Sequence, residues 1–122
     1  MKRKTITAVY PLRKEIPKHD DTRIRITGNT FQVMEELPTL LIDTGKIIEV
    51  IHYKKNGQYL TFFVGQKFNI AVEDGLTSGY VGVGTNRFIE VLESLGMEKN
   101  EAESIIHAQQ NYEGVEIVIS FH

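Results

Sequence analysis

The chain contains no cysteine, and that one absence removes several chemistries together. No disulfide can staple the fold, no thiolate can attack a substrate, and no cysteine-rich zinc site can form. Tryptophan is missing too, and proline occurs only as Pro11, Pro17 and Pro38. Neither sign of charge prevails: 14 Lys and Arg stand against 16 Asp and Glu, a net charge of -2. That balance sets up no field to recruit duplex nucleic acid or an anionic membrane. No apolar run approaches the roughly 18 residues that a membrane helix needs. The opening Met1-Lys2-Arg3-Lys4 is basic, but the strand-like stretch after it is too short and too polar for a secretory signal. These absences together predict a cytoplasmic protein with no membrane partner and no duplex nucleic acid partner.

What is present is the material of one globular domain. At 122 residues and 41% hydrophobic content, residues 1–122 can bury a single core but not two. Thr5 to Tyr10 is β-branched and aromatic and reads as a strand that Pro11 ends. Arg23 to Thr27 alternates, with Ile24 and Ile26 inward and Arg23 and Arg25 outward. Gly28-Asn29 marks a turn, Phe31 to Met34 continues the sheet, and Pro38 breaks it. Leu40 to Ile42 is a short apolar run closed by a turn at Asp43-Thr44-Gly45.

The clearest supersecondary signal follows. Ile47 to Lys55 and Gln58 to Val64 flank Asn56-Gly57, the favoured pair for a type I′ hairpin. That register sets Tyr53 opposite Leu60, Ile51 opposite Phe62 and Val50 opposite Phe63. Consecutive apolar pairs give the hairpin two hydrophobic faces, so the second face needs a helix or another subunit. A homo-oligomer is the expectation. Lys67 to Val72 is a further strand with an exit turn at Glu73 to Gly75.

The stretch from Gly79 to Gly96 organises the rest. It opens as a glycine-rich turn and closes as an amphipathic helix, with Phe88, Val91, Leu92 and Leu95 at i, i+3, i+4 and i+7. Thr85 or Asn86 can cap its first turn and Gly96 can take the left-handed residue past its end. Asn100 with Glu103 resembles a capping box for a second helix carrying Ala102, Ile105 and Ile106 inward. Val115, Ile117, Ile119 and Phe121 then share one face of a closing strand. Strands, two helices and a last strand make an α+β domain: an antiparallel sheet with a long hairpin and two C-terminal helices packed on it.

Candidate chemistry centres on the same loop. Backbone N–H groups at a helix start, with Arg87 on the rim, form a natural anion site. The ligand-binding candidates are Gly82, Gly84, Thr85, Asn86 and Arg87, with Tyr80 able to stack a base and Arg23 and Arg25 able to clamp a phosphate. The dinucleotide fingerprint and the phosphate-binding lysine motif are both absent, so a tight turn needing positive φ is the plainer alternative. Asp43-Thr44-Gly45 resembles the triplet of retroviral-type aspartic proteases, dimers that supply one aspartate each; Lys46 stands where that family has a small residue. His19, His52, His107 and His122 never pair at ligand spacing, and no serine sits in a nucleophile elbow. No catalytic set, cofactor site or metal site emerges, which favours a binder over an enzyme.

Gly79 to Phe88 and the two-helix segment to Gln110 resemble the phage Thoeris anti-defence sponges, proteins of similar size. The resemblance implies sequestration of a cyclic ADP-ribose or cyclic oligonucleotide signal without cleavage, in the host cytoplasm. It carries over no individual site residue. The alternative is a protein–protein inhibitor or adaptor that uses the hairpin as an interaction edge.

Overall fold

Asn56 and Gly57 take φ of 53° and 77°, the paired positive values of a type I′ turn. They join β3 (Ile47–Lys55) to β4 (Gln58–Gly65), with Tyr53 opposite Leu60, Ile51 opposite Phe62 and Val50 opposite Phe63, as the sequence predicts. The structure is a computed structural model and describes residues 4–17, 22–79, 82–107 and 114–121. Around the hairpin are β1 (Lys4–Val9), β2 (Ile24–Thr27), α1 (Thr30–Asp43), β5 (Asn69–Glu73), α2 (Val83–Ser94), α3 (Lys99–His107) and β6 (Gly114–Phe121). The fold is α+β, and the described residues form six strands in the order β1-β6-β3-β4-β5-β2. All neighbours are antiparallel except β2 and β5, which run parallel. The hairpin is therefore central. Its strands are paired on both outer sides, so it offers no edge to a partner, and the sheet ends at β1 and β2 instead.

One face of the sheet carries the main core. Ile26, Val50, Phe63, Ile70, Val72, Ile117 and Ile119 meet Val33 and Leu37 of α1, Phe88 and Leu92 of α2, and Ala102 and Ile106 of α3. Three helices thus cover this face, one more than the sequence reading finds.

The extra helix is α1, where the reading expects Phe31 to Met34 to continue the sheet. Asn29 and Gln32 form a capping box: Asn29 Oδ1 accepts the Gln32 N–H at 2.9 Å and Gln32 Oε1 accepts the Asn29 N–H at 2.8 Å. Val33 and Leu37, one turn apart, are fully buried, and Met34, Leu40 and Leu41 pack on the same core. Pro38 lies inside the helix on its exposed side rather than ending it.

Two expected caps also differ. Gly82 is the N-cap of α2 and makes no side-chain bond, so Thr85 and Asn86 lie within the helix. Asn100 sits in the first turn of α3, where the Ala102 N–H bonds the Glu98 carbonyl at 3.0 Å. The end of α2 is as expected. Gly96 has φ of 109°, its N–H reaches the Glu93 carbonyl and the Met97 N–H reaches that of Leu92, the two bonds of a Schellman stop.

The second apolar face of the hairpin is partly covered by the chain itself. Leu12 and Ile16, in the loop after β1, pack on Tyr53, Leu60, Ile51, Phe62 and Ala71. The loop is strapped down by polar contacts: the Leu12 N–H donates to the Gly114 carbonyl at 2.7 Å, and Lys14 pairs with Glu116 at 3.2 Å. Lys55 donates to the Lys14 carbonyl at 2.6 Å. Burial, and then a hydrogen bond to Glu116, raise the Tyr53 phenol above its usual range. Part of the surface expected to require a second subunit is thereby satisfied within one chain.

Candidate ligand-binding site

The N-termini of α1 and α2 are drawn together by small side chains. Thr30 Oγ1, in the first turn of α1, donates to the Gly75 carbonyl at 2.8 Å. A Cβ on Gly75 would lie 2.1 Å from Val33 Cγ2, so α1 approaches that backbone as closely as it does only because no side chain intervenes. At the start of α2, a Cβ on Gly84 would lie 2.7 Å from Thr77 Oγ1 and 3.1 Å from Thr30 Oγ1. Thr77 and Thr85 join their hydroxyls at 3.0 Å beneath.

Above this joint lies a groove of about 260 Å³ lined by Thr30, Phe31, Met34, Glu35 and Arg87. Phe31 is 70% exposed, far more than a side chain of its size in a core helix, and Val83 is 49% exposed. The groove therefore offers an aromatic face, a thioether, a carboxylate and a guanidinium. Arg87 is tied to Glu90 one turn on in its own helix.

The predicted ligand residues separate into groups. Asn86 and Arg87 are exposed at the start of α2. Gly84 and Thr85 are buried in the joint between the two helices, and Gly82 is half-buried as the cap. Arg25 lies opposite Ala71 on the face that the helices leave uncovered, away from Arg87. Arg23 is exposed and stacks over the Phe68 ring at 5.4 Å. The arginine pair and the helix start thus do not converge. Tyr80 lies outside the described residues. Phe31, Met34 and Glu35 escape the sequence reading because it continues the sheet over Phe31 to Met34 and finds no helix there. The signal was the Asn29-x-x-Gln32 pair, which turns those three positions into one helical face at i, i+3 and i+4.

A second hollow, of about 330 Å³, lies between α2 and α3 and is lined by Arg87, Lys99, Glu90, Glu93 and Glu103 among others. Three carboxylates against two cations give it no preference for an anion.

His52 is fully buried on β3. Its Nδ1 lies 2.8 Å from Thr61 Oγ1 across the hairpin, and its Nε2 lies 2.8 Å from Ser78 Oγ, just before the glycine loop. One hydroxyl donates to the ring and the other accepts from it, whichever nitrogen carries the proton. Phe88 packs on the ring at 4.7 Å between centroids, which makes Phe88 core. Burial, with Lys54 a lesser influence, pushes the imidazole pKa down to about 3. A serine on an imidazole has the geometry of a nucleophile and base. Here the serine is buried and the base is far too weak near neutral pH. The arrangement works as a latch that holds the base of the glycine loop to the sheet.

Asp43 is the exposed last residue of α1, Thr44 is its C-cap, and Gly45 turns away with φ of 77°. The triplet is a helix stop. Among the described residues, no three His, Asp or Glu side chains gather at metal-binding distance, and no helix is long and apolar enough to cross a membrane. Compared with protein-family models, curated proteins and solved structures, the chain matches none.

Proposed function

We propose that this chain is a non-catalytic binding protein that sequesters a small anionic nucleotide-type signal, of the cyclic ADP-ribose or cyclic nucleotide kind. One observation carries the reading: exposed Phe31 and Arg87 border the same groove where two helices begin. The aromatic face suits a base, and the Arg87 guanidinium suits a phosphate. Among the described residues, the serine–imidazole pair of Ser78 and His52 is buried. A sponge of this kind would act in the cytoplasm, that of the host if a phage encodes it.

Retention of a scarce signal calls for a Kd on the order of nanomolar, about -12 kcal/mol. The groove, at about 260 Å³, is smaller than most small-molecule pockets, which run from roughly 300 Å³ upward. It can enclose a base and leaves the rest of a dinucleotide in water. A second copy closing over the ligand would supply the missing enclosure, so self-association belongs to the proposal.

Native mass spectrometry with cyclic ADP-ribose isomers, cyclic di-GMP and cyclic di-AMP tests both parts in one run. The expected result is an oligomer that gains an intact nucleotide mass and releases it unaltered on denaturation. Arg87→Ala should weaken binding by about 10- to 100-fold, the worth of a hydrogen bond to a charged group. Phe31→Ala should weaken it comparably through lost stacking, about 1–3 kcal/mol per base. No bound nucleotide in the wild type, or an unchanged Kd in both variants, overturns the reading.

A further inference from the structure

Among the described residues, Glu35 is the one carboxylate lining the groove, and its position bears on which base the groove accepts. It follows Phe31 by four residues on α1, so the two side chains neighbour each other on one helix face, with Met34 beside them. Arg87, on the wall opposite, is already paired with Glu90, and Glu35 makes no ion pair among the described residues. A base lying on the Phe31 ring would thus bring its edge toward a group that only accepts hydrogen bonds.

We infer that the groove selects guanine: Phe31 stacks the base, and the two Glu35 oxygens accept the adjacent N1–H and N2–H donors of its Watson–Crick edge. This rests on the nucleotide-binding reading above and narrows its ligand to a guanine nucleotide. Guanine presents two parallel N–H bonds to a carboxylate with two parallel acceptors, the same fork geometry that makes arginine–carboxylate pairs strong. Adenine presents one N–H and, beside it, the N1 lone pair, which a carboxylate repels. Hypoxanthine keeps N1–H and lacks the second donor. Pyrimidines offer the Phe31 face less area to cover. The phosphate, extending from the other end of the nucleotide, falls on the Arg87 side.

The test is calorimetric titration of the full chain with cyclic di-GMP, cyclic di-IMP, cyclic di-AMP and cyclic ADP-ribose, repeated on Glu35→Gln. Glu35 is exposed, so the variant should fold, and circular dichroism checks that it does. Cyclic di-GMP should bind at least about tenfold more tightly than cyclic di-AMP, with cyclic di-IMP between, as expected for one or two charge-assisted hydrogen bonds. In Glu35→Gln the preference should collapse, with cyclic di-GMP losing about tenfold and cyclic di-AMP changing little. Equal binding of the two in the wild type overturns the inference, as does a ratio that Glu35→Gln leaves unchanged. Binding of cyclic ADP-ribose or cyclic di-AMP alone overturns the guanine assignment and leaves the nucleotide-binding reading standing. Binding of none of them overturns both.

Discussion

At His52 the surroundings, not the side chain, decide the protonation state. The imidazole is buried between Thr61, Ser78 and Phe88, so its charged form has lost water and gained no carboxylate. Folding therefore lowers its pKa from the ordinary 6.5 to about 3, and between those values the unfolded chain binds a proton that the native state refuses. The stabilisation is complete above pH 6.5 and drains as the pH falls toward 3, at up to about 1.4 kcal/mol per pH unit. Urea unfolding at a series of pH values should show stability falling from pH 6.5 to 5, and His52→Gln should flatten that slope; an identical slope in the variant would place its origin elsewhere. Half of this latch was legible in the residues. Asn56-Gly57 sets the hairpin register, the register puts His52 opposite Thr61, and both share the face of Val50 and Phe63. Ser78 was not legible, because it arrives from a loop whose path no periodicity describes.

Among the elements, α1 separates local preference from tertiary outcome. Phe31 and Val33 are favoured in strands and Pro38 is disfavoured inside helices, so a short window around them reads as sheet. The longer stripe of Val33, Leu37 and Leu40, together with the Asn29–Gln32 box, decides for helix. Asn29→Ala removes the acceptor for the Gln32 N–H and should cost about 1 kcal/mol in chemical unfolding. Gln32→Ala in the Asn29→Ala background should cost little more, because the two bonds form one reciprocal unit; full additivity would show that the box is not cooperative. The helix α2 was legible from its apolar stripe and its Gly96 stop, whereas its start was not. Gly82 caps without a side chain, and nothing in the residue types announces that. The candidate groove inherits both facts: Arg87 could be named from the chain, while Phe31 and Glu35 became visible only once α1 was a helix.

For the whole molecule, the sheet is covered unequally. Three helices bury one face, and the other is served by a loop whose apolar anchors are Leu12 and Ile16. Leu12 is buried in that small cluster, so Leu12→Ala should cost about 2 kcal/mol, the low end for a leucine truncation, because a surface loop can settle into part of the space. Tyrosine fluorescence should report the change, since Tyr53 lies beneath it; an unchanged unfolding midpoint would show the loop to be a passive cover. The alternation of Arg23 to Thr27 told which side chains point inward, but not that β2 would run parallel to β5 at the far edge, a pairing between distant segments. The strand order has one more consequence, for the growing chain at the ribosome. Strand β6, synthesised last of the six, lies between β1, synthesised first, and β3. Until it emerges, β1 has no neighbour and β3 has one raw side, so a nascent chain stalled short of Gly114 holds two sticky strands waiting for a third. Assembly of this sheet must then follow release of its final strand, and a translation pause just before that strand is where a chaperone would matter most.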